Sequence, residues 1–307
     1  MKKVFKIIGV VILVIVALVV IGIFILPKMP NPKEKYYEKI ETGGDIEARY
    51  LAQGSYETSY YEEATLQWFE KYEIWYPKEL ESSDKTYPVI IVCNGTGQKG
   101  SIQKNIYQHY ASWGFIVIDT EETYSWNAFG AEMCIRHLQL LNKSAIYNDK
   151  ENIFYNKVDF GNVGIIGHSQ GGAAVLNALT NTDHQNIYKT AVSLSPTNKE
   201  LALALEWPYD ATLVDVPIMI ISGEGGGDDW VITGEQLGDL YNDISGSKVA
   251  MRRKNTPHGE TCYSEDGYVI AWFMWHLQGD ENAAKAFIGS SPEIMANPLY
   301  QDQKIDY

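Results

Sequence analysis

The stretch Val-Gly-Ile-Ile-Gly-His-Ser-Gln-Gly-Gly-Ala-Ala-Val-Leu-Asn-Ala-Leu, residues 163–179, organises our interpretation of the whole chain. Its first four residues are rich in β-branched side chains, which is typical of a buried strand, and residues 173–179 are typical of a helix. Between them, residues 167–171 form the pattern G-x-S-x-G. A tight turn of this kind holds the serine hydroxyl clear of the backbone. We therefore predict a strand-turn-helix unit in which Ser169 is a nucleophile.

Composition and charge narrow the class of protein. The chain has 307 residues, of which 45% are hydrophobic and 21% charged, as expected for a globular protein with a substantial core. Its net charge of −14 argues against nucleic acid as a partner, because phosphates would be repelled. The same charge argues against adhesion to an anionic lipid surface.

The N-terminus predicts a membrane anchor. Residues 7–26 are apolar or Gly without one charge, long enough to span a bilayer core. No small-x-small cleavage pattern follows this run, so we expect a signal anchor rather than a cleaved signal peptide. The lysines in residues 1–6 favour a cytoplasmic N-terminus and an extracytoplasmic domain. The predicted organisation is a cytoplasmic segment 1–6, a transmembrane anchor 7–26, a polar tether 27–59 and a domain 60–307.

The three cysteines are an odd number and lie far apart in the sequence. Cys93, Cys134 and Cys262 match neither a disulfide framework nor the spacing of a zinc site. Cys93 ends an apolar strand and Cys134 lies in a predicted helix, where a buried free thiol is the usual state. The spacing leaves open whether two of them pair, and we expect no metal site.

From about residue 72 onward, predicted strands and helices alternate. Apolar runs at 87–93, 115–118, 163–166, 190–194 and 216–221 are separated by segments with helical spacing. Strands of this kind indicate a mostly parallel sheet with helices on both faces, an α/β fold. Only about twenty residues lie between 194 and 216, too few for a cap domain. Ligands of such sheets bind at the carboxyl ends of the strands.

A serine nucleophile needs a base, and the base needs a carboxylate that fixes its tautomer. Around a nucleophile elbow the chain order is serine, then acid, then histidine. The loop after the 216–221 strand offers Glu224, Asp228 and Asp229, and the loop after the strand ending at Arg252 offers His258. We predict His258 as the base, and the residues alone leave the choice of acid open.

Two other residues near the predicted site have simpler interpretations. His168 adjoins Ser169, but on a tight turn it would point away from the hydroxyl and would shape the pocket or pack. Ser195 follows a strand without the flanking glycines, so we interpret it as part of a turn.

The tryptophans in loops at the presumed active face are Trp126, Trp207 and Trp230, and they would either line the site or pack beneath the loops.

The elbow sequence at 167–172, the acidic loop and Pro257-His258-Gly259 resemble the α/β-hydrolase superfamily. Within it the chain is similar to the group without a lid that holds dienelactone hydrolases, chlorophyllases and cutinase-like polyester hydrolases, over about residues 72–278. This resemblance implies an α/β-hydrolase fold without a cap domain and favours Asp228 as the acid, because a hydrophobic residue follows it three positions on. The three glycines 225–227 lengthen the loop, so Asp229 stays an alternative and Glu224 a weaker one.

The oxyanion formed on attack needs preorganised N–H donors. One is expected from the backbone of Gln170, at the N-terminus of the helix that follows the elbow. The resemblance implies a second from Thr96, in the turn Asn94-Gly95-Thr96 that takes the place of a Pro-Gly-aromatic turn in the polyester hydrolases. The missing aromatic ring argues against polymer binding.

The sequence therefore predicts a membrane-tethered serine hydrolase that cleaves small or accessible carboxylic esters outside the cytoplasm. Ser169, His258 and Asp228 would act as a triad through an acyl-enzyme, without a metal or organic cofactor. Two other functions remain open at this point. One is acyl transfer or peptide cleavage by the same triad, and the other is a surface binding protein that has lost turnover.

Overall fold

The computed structural model describes residues 31–307. The predicted membrane span at residues 7–26 and the cytoplasmic segment 1–6 lie outside the described residues. Among residues 31–307, no helix is both long and apolar enough to cross a bilayer.

Strands and helices alternate along most of the chain, as the apolar runs predict. The strands are β1 Thr58–Ala64, β2 Lys71–Pro77, β3 Tyr87–Cys93, β4 Ile116–Thr120, β5 Ile146–Tyr147, β6 Lys150–Glu151, β7 Val158–His168, β8 Tyr188–Leu194, β9 Ile218–Ser222, β10 Lys248–Arg253 and β11 Tyr300–Asp306. The α-helices are α1 Asp45–Leu51, α2 Lys104–Ser112, α3 Phe129–Lys143, α4 Gln170–Thr180, α5 Lys199–Ala204, α6 Asp228–Val231, α7 Gly234–Asp243, α8 Asp266–Gln278, α9 Glu281–Ala284 and α10 Glu293–Ala296.

Nine strands form the central sheet in the order β1-β2-β4-β3-β7-β8-β9-β10-β11, while β5 and β6 form a separate hairpin. The six strands from β4 to β10 in this order are parallel to their neighbours. At the edges, β1 and β2 pair antiparallel and so do β2 and β4, and β11 pairs antiparallel with β10. The predicted mostly parallel sheet is therefore confirmed, with antiparallel strands added at both edges.

Both faces of the sheet are covered by helices. One face contributes alternate strand residues such as Ile91 and Ile165 to a large apolar core that includes buried side chains of α3, α4 and α7. On the other face, α8 packs so closely that a Cβ on Gly164 would lie 2.7 Å from the ring of Phe273. Because both faces are buried, these strands are continuous apolar runs in the sequence rather than alternating ones.

The short connection between β8 and β9 contains α5 and one 3₁₀ turn, Ala211–Leu213. This agrees with the prediction that the connection is too short for a cap domain. The parallel strands β3, β7, β8, β9 and β10 all direct their carboxyl ends to one edge of the sheet, which brings the loops after them together.

The predicted tether at residues 27–59 is wrong for much of its length. Residues 36–39 form a 3₁₀ turn, and α1 lies on α8 so closely that a Cβ on Gly267 would lie 2.5 Å from a backbone oxygen of Glu47. Tyr50 is buried, and the buried Glu47 pairs with Arg253 at 2.9 Å. The Pro and Gly residues suggested a linker, but the apolar and aromatic side chains between them supply a face that packs on the domain.

Candidate active site

Ser169 lies in the turn between β7 and α4, in a strained backbone conformation with φ 61° and ψ −121°. Its backbone N–H donates to the carbonyl of Leu194 at 2.9 Å, which ties the turn to the neighbouring strand β8. A non-glycine residue at positive φ costs about 1–3 kcal/mol, and it persists only where the surroundings impose it. The elbow predicted from the sequence has the expected conformation.

The flanking glycines are required by close backbone approach. A Cβ on Gly167 would lie 2.2 Å from the carbonyl oxygen of Gly171, and a Cβ on Gly171 would lie 2.0 Å from the carbonyl oxygen of Cys93. Real Cβ atoms do not come this close to backbone atoms. The two glycines therefore let α4 begin directly against β3 and β7, which places the N-terminus of the helix beside Ser169.

The structure brings Ser169, His258 and Asp228 together from the ends of three different strands. The Ser169 hydroxyl donates to Nε2 of His258 at 2.9 Å, and Nδ1–H of His258 donates to Oδ1 of Asp228 at 2.7 Å. The other carboxylate oxygen of Asp228 accepts the backbone N–H of Gly223 at 2.6 Å. Asp228 is 0% exposed, so its charge acts on His258 with little screening by solvent.

The two alternative acids make other contacts. The side chain of Asp229 is 50% exposed and accepts from Nη2 of Arg252 at 2.7 Å. Glu224 accepts the backbone N–H of Asn255 at 3.2 Å, and hydrogen bonds from the side chain of Gln301 and from this N–H lower the pKa of Glu224 from the ordinary value. Asp228, and neither alternative, is the carboxylate hydrogen-bonded to His258 in the structure.

Glycines 225–227 explain how the lengthened acidic loop reaches His258. All three have positive φ, at 75°, 52° and 93°, a conformation that glycine adopts at little cost. A Cβ on Gly226 would lie 2.3 Å from Pro257, so the acidic loop folds directly against the histidine loop. The sequence alone could not decide between Asp228 and Asp229 because this turn determines which side chain points inward.

The two expected oxyanion donors lie in segments that meet at Ser169. Gln170 is the first residue of α4, and the turn with Gly95 and Thr96 approaches Ser169 so closely that a Cβ on Gly95 would lie 3.6 Å from Cβ of Ser169. The turn is held by the N–H of Gly97, which donates to the carbonyl of Thr123 at 2.9 Å. Within residues 31–307, neither the backbone N–H of Gln170 nor that of Thr96 donates to a protein acceptor.

The three tryptophans predicted near the site differ in exposure. Trp230 follows the acids on α6 and is 77% exposed, while Trp207 is only 8% exposed. The indole N–H of Trp207 donates to the hydroxyl of Tyr124 at 2.5 Å, so this tryptophan packs against the loop after β4. Trp126 is partly buried, and its carbonyl accepts from the side chain of Asn177 on α4.

Sequence reasoning missed a second layer of polar groups behind His258. His168 is buried, with its ring 4.5 Å from the ring of His258, and its Nε2 lies 2.8 Å from the carbonyl oxygen of His258. Thr261 and Ser195 join the same hydrogen-bond network. No local sequence signal identifies these contacts, because His168 and Ser195 lie at the ends of two different strands, Thr261 lies in the loop after β10, and the three meet only in the fold.

Cys93, Cys134 and Cys262 are buried and free, and burial raises the pKa of each thiol well above its ordinary value. Within the part of the chain that the structure describes, no group of three or more His, Cys, Asp or Glu side chains is arranged to hold a metal ion.

The chain matches a family model described as PET hydrolase-like over residues 41–303, which covers the elbow, the acidic loop and the histidine loop. No curated protein matches the chain. The family match confirms the resemblance to the cutinase-like polyester hydrolases of the α/β-hydrolase superfamily, and it indicates an enzyme that hydrolyses esters. It begins at residue 41, inside the segment predicted as a tether, which agrees with the packing of α1 on α8. The chain therefore belongs to the PET hydrolase-like family.

Proposed function

We propose that this protein is a serine hydrolase that cleaves carboxylic esters through an acyl-enzyme on Ser169. The observation that carries the proposal is the hydrogen-bonded series from Asp228 through His258 to Ser169, with distances of 2.7 and 2.9 Å. The order of these groups along the chain and their positions at strand ends are those of a nucleophile elbow enzyme.

In this mechanism His258 takes the proton of Ser169 as the hydroxyl attacks the ester carbonyl. The ester C–O bond then breaks, and His258 returns the proton to the leaving alcohol. Asp228 holds the imidazole with its proton on Nδ1 and stabilises the imidazolium that forms. Water, activated by His258, then attacks the acyl-enzyme and releases the acid.

The negative oxygen of the tetrahedral intermediate requires N–H donors that are already in place. We assign this role to the backbone N–H groups of Gln170 and Thr96. Gln170 is supported by its position at the N-terminus of an eleven-residue helix, where the helix dipole also favours negative charge. Thr96 is supported by the close approach of its turn to Ser169.

The proposed substrates are small or accessible neutral esters. Thr96 is exposed at the position where the related polyester hydrolases carry an aromatic residue, so this chain lacks that ring for binding an aromatic polymer unit. Rates for p-nitrophenyl esters of increasing acyl length would test this preference. Equal rates for short and long acyl chains would contradict it.

The proposed location is the outer face of the cell membrane, with residues 7–26 as the anchor. The apolar length of this segment and the lysines before it support the proposal. Protease added to intact cells should remove the domain. Protection of the domain until the cells are lysed would contradict the orientation.

A fluorophosphonate probe tests the central proposal because it reacts with an activated serine. The wild-type protein should be labelled, and Ser169→Ala should not. The matched control is Ser112→Ala, which removes another buried serine, in α2, whose hydroxyl donates to the carbonyl of His109 at 2.6 Å, and this variant should still be labelled at Ser169. Absence of labelling in folded wild type would refute the proposed function.

A further inference from the structure

The backbone carbonyl of the candidate base is held by two side chains. The oxygen of His258 accepts the N–H of His168 at 2.8 Å and the hydroxyl of Thr261 at 2.8 Å. All three residues are buried. A buried carbonyl with two donors is fixed in position more firmly than a loop carbonyl that faces water.

These contacts determine which nitrogen of His168 carries a proton. A carbonyl oxygen can only accept a hydrogen bond, so Nε2 of His168 must carry a proton. Burial lowers the pKa of His168 well below its ordinary value, and the charge that His258 acquires on protonation lowers it further. His168 is therefore the neutral tautomer with its proton on Nε2, and the neighbouring imidazole of His258 can become charged without a second positive ring beside it.

Ser195 extends the network to the next strand. The hydroxyls of Ser195 and Thr261 lie 2.8 Å apart, and Thr261 Oγ1 is also 2.8 Å from Nε2 of His168. One arrangement of hydrogens satisfies all of these contacts: Ser195 donates to Thr261, Thr261 donates to the His258 carbonyl, and His168 shares its proton between the two oxygens. Ser195 itself is buried and has a positive φ of 41°.

The network links the histidine loop to the strand that carries the nucleophile. His168 is the last residue of β7 and directly precedes Ser169, while Ser195 directly follows β8. His168 therefore binds the backbone carbonyl of His258, and the next residue, Ser169, is hydrogen-bonded to the side chain of His258. The loop from 254 to 265 consists mainly of turns held by backbone bonds such as that from the N–H of Glu260 to the carbonyl of Pro257 at 2.8 Å. The side-chain bonds at the His258 carbonyl add a direct link from these turns to the ends of β7 and β8.

We propose that His168 is a positioning residue for the triad, supported by Thr261 and Ser195. It holds the backbone of His258 so that Nε2 of His258 stays 2.9 Å from the Ser169 hydroxyl. This inference rests on the proposed function but adds residues to it that do not touch the substrate. A displacement of the base by about 1 Å can cost roughly 10²-fold in rate.

The test compares Thr261→Val, Thr261→Ser and His168→Phe. Valine keeps the shape of threonine but removes the hydroxyl, serine keeps the hydroxyl, and phenylalanine keeps a ring but removes the donor. Cys262→Ala is the matched control, because the adjacent Cys262 contacts the carbonyl of Gly259 in the same loop at 3.1 Å. Circular dichroism and thermal unfolding show whether each variant is folded.

Two measurements separate a positioning role from a structural one. The first is the split between kcat and KM for a p-nitrophenyl ester. We expect kcat to fall at least about tenfold in Thr261→Val and His168→Phe with little change in KM, and to recover in Thr261→Ser. The second is the downfield imidazole proton signal of His258, which reports the hydrogen bond to Asp228 and does not depend on turnover. It should shift or broaden in the same two variants and stay unchanged in Cys262→Ala.

Unchanged kcat and an unchanged proton signal in folded Thr261→Val would overturn the positioning role, as would failure of Thr261→Ser to restore either. The isosteric Thr261 pair decides the question if His168→Phe does not fold. If the proposed function itself were wrong, the wild-type protein would neither hydrolyse the ester nor react with the fluorophosphonate. That result differs from one in which only the positioning role is wrong.

Discussion

Replacing Asp228 with asparagine changes one charge beside His258 and almost no volume. In the structure one oxygen of Asp228 accepts the backbone N–H of Gly223 and the other accepts Nδ1–H of His258. The asparagine oxygen should keep the bond to Gly223, because that donor cannot change its direction. The asparagine NH₂ group would then face Nδ1 of His258, so the imidazole must move its proton to Nε2. In that tautomer Nε2 can no longer accept the proton of Ser169.

The expected loss is about 10⁴-fold in kcat, the size found when the acid of a Ser-His-Asp triad is replaced by its amide. At about 1.4 kcal/mol per factor of ten, this corresponds to roughly 5 kcal/mol of transition-state stabilisation. Asp229→Asn is the matched control at the adjacent position. It removes a half-exposed ion pair with Arg252, worth about 0.2–1 kcal/mol of stability, and should leave kcat near the wild-type value.

The assay is hydrolysis of a short p-nitrophenyl ester, together with fluorophosphonate labelling and circular dichroism on each variant. Asp228→Asn should be folded, slow in hydrolysis and slow in labelling, and Asp229→Asn should behave as wild type. If folded Asp228→Asn kept more than a tenth of the wild-type kcat while Asp229→Asn lost its activity, the assignment of the acid would be refuted.

Three further predictions concern the elbow, the N-terminal segment and a buried acid. Gly171→Ala should cost about 1–3 kcal/mol or more in urea unfolding, because its Cβ would lie 2.0 Å from a backbone oxygen; an unchanged stability would contradict the close approach. Glu47→Ala should cost roughly 3–5 kcal/mol by leaving buried Arg253 unpaired, whereas the exposed Glu38→Ala should change little; equal effects would restore the tether interpretation. Burial raises the pKa of Glu122 to about 7 from 4.5. The protonated carboxyl therefore favours the folded state at low pH, and this contribution is lost as the pH rises through 7. Between pH 5 and pH 8 wild type should lose about 2–3 kcal/mol more stability than Glu122→Gln, and parallel stability curves would contradict this.

Much of the fold can be predicted from local sequence because each central strand is buried on both faces. Such strands are continuous apolar runs, and the helices between them show their own spacing, so the alternating order is visible without tertiary information. The edge strands are harder to predict. β1 and β11 each have a largely polar and partly exposed pattern, and only their pairing with β2 and β10 identifies them as strands.

Some residues of the candidate site could likewise be predicted from the sequence, and others could not. Ser169 and His258 follow from strand ends and chain order, and the structure places their side chains within hydrogen-bond distance. The choice of Asp228 over Asp229 depends on a turn of three glycines with positive φ, whose direction no propensity predicts. Adjacent residues in a sequence point to different sides, so one turn decides which carboxylate is buried.

By itself, the sequence determined the strand-turn-helix unit around Ser169, the mostly parallel character of the central sheet and the family resemblance. These depend on neighbouring residues and on the alternation of segments along the chain. Only the tertiary structure decided which acid meets His258, that α1 packs on the domain, and that His168, Thr261 and Ser195 surround the His258 carbonyl. Those contacts join residues far apart in the chain. A hydrogen bond is lost when the distance between donor and acceptor changes by roughly a few tenths of an ångström. The packing of the strands sets these distances, and the order of residues in the chain does not.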